Sequence, residues 1–268
     1  MRQSEIRDFY EEWMRKVSTL TSQDKSRYSF EKFIYLYIIY NALYCRATTC
    51  LKYKGITFAS SEKEQAVDNV IKFFDGNSQQ CGENLIDFLQ RRNDVDVEAI
   101  KDFNHGFDIY SLRRYSSEEA QKNDFELRDK LLSSSTKKQA EGVLELIYRV
   151  RCNLFHGEKR FNPRQEDFLR PIVEILQSIV KEIYVRLNNP EHPYYMDDIG
   201  YETYLEQWKN QPKNRDEYKR LRESLQNHPT DLVIQEKMRA VGRLAGYDPN
   251  KVNKDIDKRS KQPKSKSK

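Results

Sequence analysis

Apolar side chains recur at steps of three and four residues through most of this chain, and that spacing constrains its fold more than any other feature. From Glu5 to about Leu20, the residues Ile6, Phe9, Tyr10, Trp13 and Val17 fall on one helical stripe. Phe30, Phe33, Ile34, Tyr37 and Ile38 form one face of a second helix, and Leu36, Ile39, Tyr40 and Leu43 cover most of the rest, so this helix is expected to be buried. Asn41 shares the Phe30–Ile38 face, and its amide is expected to find a partner in the core or to point into a cleft. The stretch 45–62 reads as polar and irregular. A helix is expected from about Glu62 to Phe74, ended by Asp75-Gly76-Asn77, with shorter ones at 82–92 and 96–103, while 107–122 is weakly patterned. Nine glycines and eight prolines in 268 residues leave few turn formers, which disfavours a β architecture and favours helices.

The serines and threonine of 133–136 end one segment and offer an N-cap for the next. The helix that follows carries Ala140, Val143, Leu144, Ile147, Val150 and Leu154 as its buried stripe and is expected to stop near Gly157, where a left-handed glycine can close it. After Phe161-Asn162-Pro163 a long helix runs to about Leu187, with Phe168, Ile172, Ile175, Leu176, Ile179, Ile183 and Leu187 at helical spacing. The character then changes. His192-Pro193-Tyr194-Tyr195, Tyr201, Tyr204 and Trp208 punctuate a charged region with helices expected from about Asp216 to Gln226 and from Pro229-Thr230-Asp231 to near Gly246. The last eighteen residues hold too few apolar groups to fold. The expected organisation is all-α: a helical domain over 1–187, a C-terminal helical appendage over 188–250 and a disordered basic tail over 251–268.

The formal net charge of +5 points less strongly to a nucleic-acid platform than its sign implies. Eight of the 47 basic residues and only two of the 42 acidic ones lie in 251–268, so the remainder is close to neutral and any anion site on it must be a local cluster. Cys45, Cys50, Cys81 and Cys152 form no C-x-x-C pair and have no histidine at zinc-ligand spacing, which leaves free thiols in a reducing cytosol as the expectation. The charged residues after Met1 argue against a signal peptide, and the most apolar run, Phe30 to Tyr44, is too short for a bilayer. A cytoplasmic protein with no membrane contact, no metal and no cofactor is expected.

One cluster carries chemistry. Arg149, Arg151, Asn153 and His156 crowd the end of an apolar-periodic segment. On a straight helix Glu145, Arg149, Asn153 and His156 fall within about 80° of one another, whereas Arg151 points roughly 140° from His156. Two readings fit. Arginine and histidine at a helix C-terminus meet the negative end of the helix dipole, and a glycine after them closes the helix. Alternatively, an imidazole titrating near neutrality acts as general acid or base while guanidinium forks hold phosphate oxygens.

The string Arg151-Cys152-Asn153-Leu154-Phe155-His156-Gly157, an Arg and a His separated by four residues late in a helical domain, resembles the signature of the HEPN superfamily. The upstream Phe33-Ile34-Tyr35-Leu36-Tyr37-Ile38-Ile39-Tyr40-Asn41-Ala42-Leu43-Tyr44 resembles the aromatic helix ending in Asn-Ala-Leu-Tyr that accompanies it. The resemblance covers roughly 1–187. It implies an up-and-down helical bundle of HEPN type that homodimerises, joining two Arg–His motifs into one composite, metal-independent ribonuclease site whose products end in 2′,3′-cyclic phosphate. It further implies that Arg151 and His156 are catalytic, supported by Asn153, Arg149 and Asn41, with RNA as substrate. A toxin or antiphage defence role, restrained or activated by a protein partner, is the implied setting. The alternative is a catalytically silent module of the same kind that binds nucleic acid or a protein. Cys152 stands where a polar residue often follows the motif arginine, and Glu158 stands where one subgroup has a modifiable tyrosine.

The other polar features read as structural. His105 lies between turn formers, and His192 and His228 precede prolines, which holds them extended at element boundaries. Asp94, Asp96, Glu98, Asp197 and Asp198 read as solvated charge, and Tyr194, Tyr195 and Trp208 as core rather than base-stacking groups. The basic tail reads equally well as an RNA-backbone contact or a solubilising end.

Overall fold

The 3.6-residue periodicity is realised throughout a computed structural model that describes residues 1–20, 28–57, 61–76, 84–92, 118–155, 165–228 and 230–260; every regular element among them is helical. No helix among the described residues is long and apolar enough to cross a membrane. The chain divides into two units, one of 1–51 and 59–196, the other of 52–58 and 197–268.

The first unit contains α1 (Gln3–Thr19), most of α2 (Tyr28–Tyr53), α3 (Glu62–Glu64), a π-helical turn (Gln65–Asn69), α4 (Val70–Asp75), α5 (Leu85–Gln90), α6 (Glu118–Leu131), α7 (Thr136–Phe155) and α8 (Gln165–Leu187). Within α2, Phe33, Leu36, Ile39, Tyr40 and Leu43 are fully buried, as the all-round apolar pattern requires. Each such side chain contributes roughly 1.5–3 kcal/mol by leaving water. Tyr10 of α1 stacks on Tyr184 of α8 with ring centroids 3.7 Å apart, and Trp13 meets Tyr35 of α2 edge-on at 5.8 Å. Ser29, at the start of α2, receives the Glu166 carboxylate of α8: its amide donates at 3.2 Å and its hydroxyl donates to the same oxygen. A carboxylate at a helix N-terminus is stabilised by the unpaired amides there.

The stretch 45–62 corrects the expectation of irregular structure, because α2 continues to Tyr53. Polar side chains that broke the apolar pattern are buried with partners instead. Arg46, 2% exposed, donates to the carbonyls of Met1 at 2.9 Å and Met196 at 2.8 Å, and Thr48 Oγ1 accepts from Asn69 Nδ2 at 3.1 Å. The π-helical turn shifts the backbone ladder by one residue and leaves carbonyls to be met from outside. The Tyr40 hydroxyl donates to the Ala66 carbonyl within it.

The first unit also extends past the expected boundary at Leu187. The turn after α8 lays His192 on Phe73 of α4, centroids 4.5 Å apart, and buries Tyr194 and Met196. Tyr194 is thus core, as expected. The bare imidazole nitrogen is used structurally, since Nδ1 accepts from the Tyr194 amide at 3.3 Å. Burial, and after it the positive charge of Arg186, pushes the His192 pKa down to about 4. An unfolded histidine protonates near 6.5, so between about pH 6.5 and 4 the unfolded chain holds a proton that the folded one refuses, and stability falls as pH falls through that window. Denaturant titrations across it should show this slope in the wild type and a shallower one in His192→Gln.

The second unit holds α9 (Asp198–Lys209), α10 (Gln211–Asn227), α11 (Leu232–Leu244) and α12 (Pro249–Ser260). Asp197 and Asp231 cap α9 and α11, each side chain accepting amides of the first turn. Tyr218, Leu225, Met238, Val252 and Ile256 form a core shared by α10, α11 and α12. Gly242 is required by that packing: a Cβ there would lie 2.8 Å from Val252 Cγ2. The tail expected over 251–268 is corrected accordingly, since residues to Ser260 are helical and Val252 and Ile256 are 2% and 1% exposed. Asp255 adds to the closure, accepting from Arg222 Nε at 2.9 Å and from the Tyr218 hydroxyl at 3.4 Å. Trp208, by contrast, is 57% exposed rather than core.

Candidate functional site

The site is built on α7, whose N-terminus is set by Ser135: its carbonyl accepts the Gln139 amide at 2.9 Å and its hydroxyl accepts the Lys138 amide at 3.5 Å. Glycine at 142 lets α6 approach closely, since a Cβ there would sit 2.9 Å from the backbone nitrogen of Leu131. That approach brings Lys130 to α7. Glu145, with only 6% of its side chain exposed, accepts from Lys130 Nζ at 2.8 Å, from Lys63 Nζ of α3 at 2.9 Å and from Arg149 Nη2 at 2.9 Å. Arg149 also donates to Asp124 Oδ1 and the Asn123 carbonyl of α6, both at 2.9 Å. Burial alone would raise the Glu145 pKa; the hydrogen bonds from Lys130, Lys63 and Arg149 outweigh it and take the carboxyl down to about 2. Arg149 and Glu145 are therefore the tie between α3, α6 and α7.

Arg151 lies on another side of the same helix, as a separation of roughly 160° from Arg149 requires. Its guanidinium pairs with Glu62 Oε1 of α3 at 3.0 Å, stands 5.7 Å from the ring centroid of Tyr37 of α2, and donates to Cys152 Sγ at 3.9 Å. The Tyr44 hydroxyl donates to the same Glu62 oxygen at 3.4 Å. Burial opposes the charge on Arg151, but Cys152 and Glu62 hold it fully protonated. Burial likewise keeps Tyr37 and Tyr44 neutral and pushes Tyr148 up to about 12. Glu62 and Lys63 are consecutive residues, fixed by the Ser61–Glu64 capping box; Glu62 pairs with Arg151, and Lys63 pairs with Glu145, the carboxylate that Arg149 also meets.

The residues expected to work together are thus divided. Glu145 and Arg149 share one cluster, and Arg151 belongs to another with Glu62, Tyr37 and Tyr44. Asn153 is buried, 9% exposed. Asn41 is corrected: it is exposed, not directed into the core, and its Oδ1 accepts from Cys45 Sγ at 3.6 Å. The stripe Ile34, Ile38, Asn41 and Cys45 is the open side of α2, because the opposite positions carry the larger buried aromatics. His156, with the Gly157 helix stop, lies outside the described residues, as do His105, Asp94, Asp96, Glu98, Cys81 and the expected helix at 96–103. His228 is exposed. Among the described residues no group of three or more His, Cys, Asp and Glu is placed to hold a metal ion.

The spacing of the sequence missed Glu62 and Glu145 as partners of the two arginines. Glu145 had a signal, four residues before Arg149 on one face. Glu62 had none, being 89 residues from Arg151 in the chain. Arg46 and Arg186 were missed as well; Arg186 donates to the Phe74 carbonyl at 2.8 Å and covers the Phe74 ring at 4.4 Å.

Comparison with known proteins finds no family model, no curated protein and no solved structure that matches this chain.

Proposed function

We propose that the first unit is a HEPN-type, metal-independent endoribonuclease whose site is completed by homodimerisation, acting as a toxin or antiphage effector. The observation that supports this reading best is the state of Arg151: a charged fork, 23% exposed, held by a carboxylate that is itself 41% exposed. An RNA phosphate can meet a guanidinium through two oxygens and can replace Glu62 on that fork. Arg149 is committed to Asp124 and Glu145 and is a positioning residue for α7.

In this reading the ribose 2′-oxygen attacks the adjacent phosphorus as its proton passes to a neutral imidazole. The bond from phosphorus to the 5′-oxygen breaks, and that oxygen takes a proton from an imidazolium. His156 and the partner's His156 supply the two states, and Arg151 stabilises the charge on the phosphorane oxygens. On a straight helix Arg151 and His156 diverge by roughly 140°, so they meet only if the helix unwinds before Gly157 or if a second chain completes the site, and the second is the course this reading takes.

A non-catalytic binding module is the second reading, favoured by the same Arg151–Glu62 pair taken as a structural tie. RNA cleavage separates the two readings, and Glu62→Gln tests whether Arg151 is a phosphate contact or a structural tie. A ribonuclease freed of the competing carboxylate is expected to bind RNA several-fold more tightly, seen as a lower KM in a cleavage assay, with stability changed by under about 1 kcal/mol. A structural tie predicts no gain in RNA affinity and a lowered melting temperature.

A further inference from the structure

The second unit carries a basic face that the ribonuclease reading does not use. On α12, Lys251, Lys254 and Lys258 fall within about 60° of one another, on the side away from buried Val252 and Ile256. All three are exposed, and none makes an ion pair among the described residues. The acidic residues of the helix do not neutralise them: Asp255 is engaged by Arg222 and Tyr218, and Asp257 stands at the edge of the stripe. The uninterrupted positive surface is this lysine stripe: exposed Asp257 lies between Lys254 and Asn253, and beyond it exposed Arg239 of α11 donates to Asn253 Oδ1 at 3.3 Å, with exposed Arg243 one turn later donating to the Arg239 carbonyl at 3.4 Å.

We infer that this face binds the phosphodiester backbone of a nucleic acid without reading its sequence. Lysines are flexible point charges suited to phosphates at a regular repeat, and among the described residues no exposed aromatic interleaves them to stack bases. An anionic membrane would use the same charge, but interfacial helices also insert an apolar face, and the apolar side of α12 is closed into the core with Tyr218 and Met238. Binding of this kind needs no catalysis and can be read without it.

Oligodeoxythymidylate lacks the 2′-hydroxyl, so its binding to the full chain reports the face without cleavage. Binding of a labelled oligomer is expected to weaken linearly in log–log form as salt rises. The triple variant Lys251→Gln, Lys254→Gln, Lys258→Gln should lower that slope by about 2, near 0.7 for each phosphate that no longer meets a lysine. Lys→Arg at the same three positions should restore it, and Arg15→Gln, Lys137→Gln, Lys138→Gln on the first unit should leave it unchanged. An unaltered slope in the α12 triple variant overturns the inference, as does a chain that binds phosphatidylserine vesicles but not the oligomer.

Discussion

Arg151→Ala is expected to slow RNA cleavage by roughly 10²–10³-fold while moving the melting temperature by only a few degrees. The two effects separate because of where the guanidinium lies. Its pair with Glu62 is partly open to water, 23% and 41% exposed, so its loss costs about 1 kcal/mol or less. The charge that develops on a phosphorane has no comparable substitute once the fork is gone. Arg151→Lys keeps the charge but loses the two parallel donors, and is expected to fall between wild type and Ala. His156→Ala should cost about 10²–10⁴-fold through loss of proton transfer, with a bell-shaped pH profile in the wild type that the substitution abolishes. Single-turnover cleavage of a labelled RNA measures all three. Equal cleavage by wild type and Arg151→Ala would remove Arg151 from the mechanism.

The largest effect on stability is expected at Glu145. Removing it in Glu145→Ala takes away the carboxylate that Lys63, Lys130 and Arg149 share across α3, α6 and α7, while Arg149 keeps Asp124. Lys63 and Lys130, with 53% and 36% of their side chains exposed, can turn to water, so the loss is smaller than for a fully buried pair, roughly 1–3 kcal/mol or several degrees in melting temperature. Glu145→Gln retains the size and one acceptor, and should lose less. The same carboxyl gives an acid limb to stability: with its folded pKa lowered to about 2, its contribution is complete above the unfolded value near 4.5 and is lost as pH falls from there toward 2. Calorimetric scans of the two variants against wild type test both statements. Arg149→Ala, which strips α7 of Asp124 and Glu145 together, should resemble Glu145→Ala in stability.

Elements whose stability comes from apolar burial were legible in the sequence, and elements held by polar contacts were not. The stripes of α1 and α8 appear where Ile6 and Val17, or Ile172 to Leu187, predict them. The second half of α2 did not, because Arg46 and Thr48 break an apolar pattern while satisfying buried carbonyls and an amide. α6 was equally obscure: among its described side chains Leu127 and Leu131 are the buried apolar ones, and Lys130, Asp124 and the close approach at Gly142 dock it on α7. α12 read as tail for the same reason, with Val252 and Ile256 as the core side chains among its described ones. At the site, the angular divergence of Arg149 and Arg151 followed from helical geometry alone. The carboxylate each one meets did not, because Glu62 and Asp124 are brought in by tertiary packing.

End-group analysis of RNA incubated with the purified chain and a chelator tests the central claim most directly. Fragments ending in 2′,3′-cyclic phosphate and beginning with 5′-hydroxyl, formed by wild type and formed roughly 10²–10³-fold more slowly by Arg151→Ala, are the predicted result. Intact RNA, or fragments ending in 3′-hydroxyl, would contradict it.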